Sequence, residues 1–111
     1  MKNFVQRGDT VTFIAPTGGA ASGIPLVVNK LVVIPVFSAA EGYECEGTTT
    51  GVYALPKAST TTPAQFDTAY WDATNGEVTT EANGNTKIGV FMHALDAGTA
   101  EADVRLDGVS L

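Results

Sequence analysis

Tyr70-Trp71-Asp72-Ala73-Thr74-Asn75-Gly76-Glu77-Val78-Thr79-Thr80 is the stretch that decides the fold. Aromatic and β-branched residues stand on both sides of Asn75-Gly76, the dipeptide best suited to the left-handed backbone of a hairpin turn. The stretch therefore reads as a short strand ending at Asp72, a turn, and a strand returning from Glu77. Tyr70 and Trp71 alternate across such a strand, so one ring enters a core and the other looks outward.

The same style continues in both directions. Downstream, Asn83-Gly84-Asn85 makes a turn before Ile88-Gly89-Val90-Phe91, and Ala102-Asp103-Val104-Arg105-Leu106 alternates cleanly before stopping at Asp107-Gly108. Upstream, Thr48 to Leu55 carries β-type residues and halts at Pro56. Leu26 to Phe37 is rich in Val and Leu, with Asn29-Lys30 as a turn and Pro35 marking an edge or bulge. Thr10-Val11-Thr12-Phe13-Ile14 alternates after the turn-like Gly8-Asp9. Ala15 to Gly23 and Ser59 to Pro63 read as loops, the second as the most flexible or inserted one. The helical candidate, Pro63 to Ala69, is too short to be stable alone. About seven strands with turns every ~8–12 residues predict an all-β protein, a small single-domain β-barrel or sandwich spanning residues 1–111. A weak internal echo links Ile34-Pro35-Val36-Phe37 and Gly51-Val52 to Ile88-Gly89-Val90-Phe91 and Gly108-Val109, as β-meanders often do.

Composition agrees. Apolar residues make up 44% of the 111 and charged residues only 16%, so the polarity of the surface comes from Thr, Ser, Asn and Gly, which suit strands and turns better than helices. The net charge is −6, and Lys2, Arg7, Lys30, Lys57, Lys87 and Arg105 are scattered singly. A phosphate backbone needs clustered bases, so no nucleic acid partner is expected. The single cysteine, Cys45, excludes an intrachain disulfide and a cysteine zinc cluster. The opening residues lack the apolar run of a signal peptide, and the longest apolar stretch, Leu31 to Phe37, is far too short to span a bilayer, so no membrane partner is expected.

Few residues invite chemistry. The loop Pro16-Thr17-Gly18-Gly19-Ala20-Ala21-Ser22-Gly23 is followed by Ile24-Pro25, without the lysine and hydroxyl residue that a phosphate-binding loop requires. His93, the sole histidine, has Asp96 three residues away as an orienting carboxylate, but no serine lies in a nucleophile-elbow context. Cys45 is flanked by Glu44 and Glu46, whose charges oppose a reactive thiolate. Glu41, Glu44 and Glu46, and later Asp96, Glu101 and Asp103, are oxygen donors, but the spacing of a calcium loop is absent, so they read as solvated charge, with a weak cation site at a subunit junction as the alternative. Phe66, Tyr70 and Trp71 read as core and interface before ligand stacking. No catalytic residue, cofactor or metal site is predicted.

Several blocks in order resemble a family of tailed-phage capsid cement, or head decoration, proteins. They are Phe4-Val5-Gln6-Arg7-Gly8-Asp9-Thr10-Val11, the loop Ala15 to Gly23, Thr50-Gly51-Val52-Tyr53-Ala54-Leu55-Pro56-Lys57, Ala69-Tyr70-Trp71-Asp72, Gly84-Asn85-Thr86-Lys87-Ile88-Gly89-Val90 and Val104-Arg105-Leu106-Asp107-Gly108. Members are sometimes labelled RecA-type recombinases, a label at odds with the missing phosphate-binding loop. This sequence departs from the family at Arg7, where proline is common, at Phe66, where a glycine usually precedes the aspartate, and at Pro35, where the pattern places glycine.

The resemblance implies a small β-barrel-like subunit and a homotrimer on the outer capsid surface, bound to the major capsid protein and free of catalysis. It implies a virion location after synthesis in the host cytoplasm. Another β-barrel virion module, such as a tail or fibre adaptor or a carbohydrate-binding module, is the alternative function. For contacts, residues 1–7 form a segment without turn residues that can run extended, carrying two of the six bases. Lys2, Phe4, Val5 and Arg7 are therefore interface candidates, either as a docking arm or as the subunit's own first strand, and Trp71 joins them as the outward ring.

Overall fold

The computed structural model describes residues 8–110, which form nine strands and no helix. In chain order these are β1 (Thr10–Ile14), β2 (Leu26–Val28), β3 (Leu31–Pro35), β4 (Glu44–Thr48), β5 (Thr50–Pro56), β6 (Thr68–Asp72), β7 (Glu77–Thr79), β8 (Thr86–Phe91) and β9 (Glu101–Asp107). The protein is all-β. The chain divides into two compact units, residues 1–49 and 50–111.

The first unit is a four-stranded antiparallel sheet in the order β1-β4-β3-β2. β4 was not legible as a separate strand, because its inward residues are Cys45 and Gly47. Their alternation with exposed Glu44 and Glu46 is nonetheless regular. Gly47 serves close packing: a Cβ there would lie 2.9 Å from the Cβ of Val33 and 3.1 Å from the ring of Phe13. The Asn29-Lys30 turn joins β2 to β3 as expected, with Asn29 in the left-handed region that asparagine tolerates (φ 55°). Pro35 does not mark an edge strand, since β3 lies inside the sheet; it is the strand's last residue, where the missing N–H costs least. Buried in this unit are Val32, Val33 and Ile34 of β3 and a cluster of small side chains, Ala15, Ala20 and Cys45, with Phe13, Leu26 and Ala39 packed against it.

The expected single strand from Thr48 to Leu55 breaks at Thr49. Its N–H donates to the carbonyl of Asp9 (2.8 Å) and its hydroxyl to that of Gly8 (2.9 Å), so the residue is spent on the first unit before β5 begins.

The second unit is a five-stranded antiparallel sheet in the order β5-β9-β8-β6-β7. β5 and β9 pair along their whole lengths, from Thr50 opposite Asp107 to Pro56 opposite Glu101. β9 shows the cleanest alternation in the chain, with Ala102, Val104 and Leu106 buried between exposed neighbours. Leu55, Trp71, Val78, Ile88 and Phe91 complete the core. The two end strands then meet. Lys57, just past β5, bridges in parallel to Val78 of β7, and Ala58 N–H donates to the Val78 carbonyl (3.0 Å). The sheet thus curls into a small barrel.

Lys57 also fastens this seam from inside. Its side chain is buried, and Nζ donates to the carbonyls of Ala58 (2.8 Å) and Thr61 (2.6 Å). The Thr61 hydroxyl meets that of Thr79 on β7 (3.2 Å). Residues 59–63, expected to be the loosest loop, are therefore stitched to the barrel; Ser59 and Pro63 accept further bonds from Gly98 and Leu95.

The helical candidate too short to stand alone, Pro63 to Ala69, is a turn followed by the start of β6. Asp67 N–H donates to the Ala64 carbonyl (3.1 Å), Asp67 Oδ2 accepts from Ala64 N–H (2.8 Å), and Phe66 has φ 67°, the geometry of a type II turn. The quoted hairpin is present, but its loop has four residues. Asp72 accepts from the N–H groups of Thr74 (3.0 Å) and Asn75 (3.2 Å) and from the Asn75 amide (2.8 Å), and Gly76 closes the loop at φ 68°. The Asn75 side chain, before the backbone donors, holds the Asp72 carboxyl below its ordinary 3.8. The internal echo does not correspond to a repeated unit: Gly51-Val52 lies in β5, in a different sheet from β3, whereas Gly108-Val109 follows β9, the pairing partner of β8.

Two outcomes follow from the close contacts. A Cβ on Gly89 would run into the Arg105 backbone carbonyl across the β8–β9 pair. Gly89→Ala should therefore lower unfolding stability by about 3 kcal/mol or more in urea titrations; an unchanged midpoint would mean the strands part freely there. Lys57→Met keeps most of the stem but takes the Nζ donor from the buried Thr61 carbonyl, while the Ala58 carbonyl keeps its bond from Thr61 N–H. It should cost about 2 kcal/mol and several degrees in Tm, and a variant as stable as the parent would show that only the hydrocarbon stem matters.

Candidate functional site

The glycine-rich loop offers no cradle for a phosphate, because its backbone donors are used. Gly18 N–H donates to Glu41 Oε1 (3.2 Å), Gly19 N–H to the Pro16 carbonyl (2.8 Å) and Gly23 N–H to that of Pro35 (3.0 Å), while Ala20 and Ala39 exchange bonds. One donor already holds a carboxylate, which would repel an anion.

His93 pairs with Asp103 and not with Asp96: Nε2 lies 3.6 Å from Asp103 Oδ2, with both side chains exposed. Asp96 instead turns its carbonyl to the Thr99 hydroxyl (2.8 Å). Cys45 is fully buried and its thiol donates to the Phe37 carbonyl (3.2 Å). Its inertness thus comes from burial, since Glu44 and Glu46 project from the opposite face of β4. Among the described residues, no three His, Cys, Asp or Glu side chains gather to hold a metal ion. A recess of about 350 Å³ in the second unit is lined by Lys87, Asp107, Val109 and Ser110, without a nucleophile and base in partnership.

Of the aromatic group, Trp71 is the inward ring at 5% exposure and Tyr70 the half-exposed one. The outward role assigned to Trp71 is therefore corrected: opposite Val78 in the barrel core, its ring keeps little surface for a partner. Phe66 stands out from its turn at 60% exposure. Lys2, Phe4, Val5 and Arg7 lie outside the described residues.

What the fold does gather is apolar surface. Towards the end of the four-stranded sheet where β1 finishes and β4 begins, Ile14, Val36, Phe37 and Tyr43 are each between 46% and 69% exposed, with Ile24, also exposed, set back beside Pro35, the register partner of Gly47. The backbone ties them together. Ile14 is the register partner of Glu44, and Ala15 N–H donates to the Tyr43 carbonyl (2.8 Å). Val36 N–H donates to the Glu46 carbonyl (2.9 Å), the Phe37 carbonyl takes the Cys45 thiol, and Gly23, next to Ile24, donates to Pro35. Glu41, Glu44 and Glu46 are exposed at this end. Lys30, the one base in residues 8–49, sits in the β2–β3 turn at the other end. Sequence reasoning missed this surface because Val36-Phe37 prolongs an apolar run that reads as core. The available signal was the turn that follows at once, Ser38 to Gly42.

The phage cement protein family matches the chain over residues 5–106. This chain belongs to that family. No curated protein and no solved structure matches it. A phage cement protein decorates and reinforces the capsid, and the work requires contact surface in place of a cleft that shelters a reaction. The first unit offers exposed apolar surface, whereas Cys45 is buried, His93 pairs with Asp103 and Asp96 turns its carbonyl to Thr99.

Phe66 stands before Asp67 with a left-handed backbone, the conformation glycine adopts without strain. Relief of about 1–2 kcal/mol of strain outweighs the ~0.5–1 kcal/mol entropic cost of a glycine. Phe66→Gly should thus leave stability equal or raise it by up to about 1 kcal/mol in thermal melts. A clear loss would show that the exposed ring packs usefully on its surroundings.

Proposed function

We propose that this phage cement protein acts without catalysis on the outer surface of the assembled head, where it contacts the major capsid protein across neighbouring shell subunits as a homotrimer. The observation that carries the reading is the family match over residues 5–106, nearly the whole chain. The buried thiol of Cys45 and the exposed His93–Asp103 pair support its non-catalytic side.

The mechanism is mass action. A ligand that binds the assembled lattice and not its dissociated subunits stabilises the lattice in proportion to the logarithm of its concentration over Kd. Three linked copies turn modest single contacts into high avidity, so no deep pocket is needed. In this reading residues 1–7 supply one contact: Phe4 and Val5 provide apolar anchors, and Lys2 and Arg7 steer the segment towards acidic groups on the shell. The protein is made in the host cytoplasm and ends in the virion.

Purified heads lacking the protein provide the test. Adding it back should raise the temperature at which heads release their contents, in step with the amount that co-sediments. Heads that neither bind the protein nor gain resistance to heat would sink the reading.

A further inference from the structure

We propose that the end of the first unit's sheet carrying Ile14, Ile24, Val36, Phe37 and Tyr43 is a docking surface for the capsid shell, fitted to a shell-protein surface that presents lysine or arginine around apolar side chains. The proposal rests on the cement reading above and names the partner chemistry for it.

Three observations lead there. First, the exposure is concentrated. Large apolar side chains scattered singly are ordinary, but Ile14, Val36, Phe37 and Tyr43 all flank the start of β4, with Ile24 set back beside Pro35, and soluble proteins keep such concentrations for partners. Second, the core below does not need them, because Ala15, Ala20 and Cys45 are already covered by Phe13, Leu26 and Ala39. Third, the charge has one sign. Glu44 and Glu46 stand on the face of β4 shared with Ile14, Glu41 lies in the preceding turn, and no base among the described residues is at this end. An apolar centre with a charged rim is the usual anatomy of a protein interface, and a rim of one sign selects a partner of the other.

The charge also decides against a second copy as the occupant. The same end of another copy would set three glutamates against three. Elsewhere among the described residues the bases offer no complement. Lys57 is buried, Lys30 and Lys87 are isolated, and Arg105 stands between Asp103 and Asp107 on the exposed face of β9. A different protein, basic where this one is acidic, fits better.

The test uses the full chain and purified heads of the cognate phage that lack it. Co-sedimentation gives the apparent Kd of the parent, of Phe37→Ser/Tyr43→Ser, of Glu44→Lys/Glu46→Lys, and of Val52→Ser, an exposed change on the second unit. Both double variants should lose about tenfold or more in affinity while keeping the parental Tm, and Val52→Ser should bind as the parent does. Parental binding should weaken with added salt, and the charge-reversed variant should have lost most of that dependence. If Phe37→Ser/Tyr43→Ser lowers Tm, the glutamate pair, which projects away from the core, decides alone. Parental binding with both variants within about twofold overturns the docking surface and leaves the cement reading standing. Failure of the parent to bind removes the cement reading, and the docking surface with it. Variants that lose self-association but bind heads normally would place a neighbour's surface, such as its residues 1–7, on this end, and would overturn the proposal as well.

Discussion

The second unit depends on a short seam. A twisted sheet of five strands brings its two end strands round towards each other, but here they touch only where Lys57 and Ala58 reach Val78. So little backbone pairing would close weakly by itself. Lys57 adds what is missing: its stem lies in the interior and its amino group satisfies two carbonyls of the loop that crosses the seam. Thr61 and Thr79 then join that loop to β7 through their hydroxyls. A polar side chain is tolerable in such a place only when its acceptors are well set, and here the buried ammonium donates to two backbone carbonyls.

The first unit follows another logic. Its core combines Val32, Val33 and Ile34 of β3 with the small Ala15, Ala20 and Cys45, and at Gly47 the absence of a side chain makes room for those of Val33 and Phe13. The unit does not house all of its large aliphatic and aromatic groups. Several of them sit instead at the strand ends, where they remain exposed. A small unit cannot bury all its apolar surface, and a protein whose work is adhesion to a lattice has use for the remainder.

Legibility in the sequence tracked how far each segment's local signal agreed with its tertiary setting. β9 and β1 were plain because large and polar residues alternate through them. The hairpin around Asn75-Gly76 was plain for its turn chemistry, although the Asp72 carboxylate, by capping two backbone donors, makes its loop four residues long. β4 was hidden because small inward residues carry no hydrophobic signal. The break at Thr49 was hidden because a threonine that ends one sheet looks like a threonine within a strand; only its bonds to Gly8 and Asp9 tell them apart. The stretch of residues 59–63 was misread because threonine and proline suggest a free loop, and the distant lysine that holds it has no local signature. The exposed end of the first unit was unreadable for a related reason: the sequence identifies apolar residues but does not say which of them the core can accommodate.

The pairing of β5 with β9 has a consequence for how the chain comes to be folded. β1 finds β4 within residues 10–48, so the first sheet has its partners as soon as that much chain exists. β5 must wait for residues 101–107, with three other strands made in between. Distant pairings of this kind form late, and an unpartnered strand is a template for mispairing with other chains. The composition of β5 suits the delay. Gly51 holds a left-handed backbone near its start (φ 120°) and Pro56 removes a donor at its end, so both ends of the waiting strand resist extension by a neighbour. During synthesis, the strand last to be satisfied is thus poorly shaped to capture another chain.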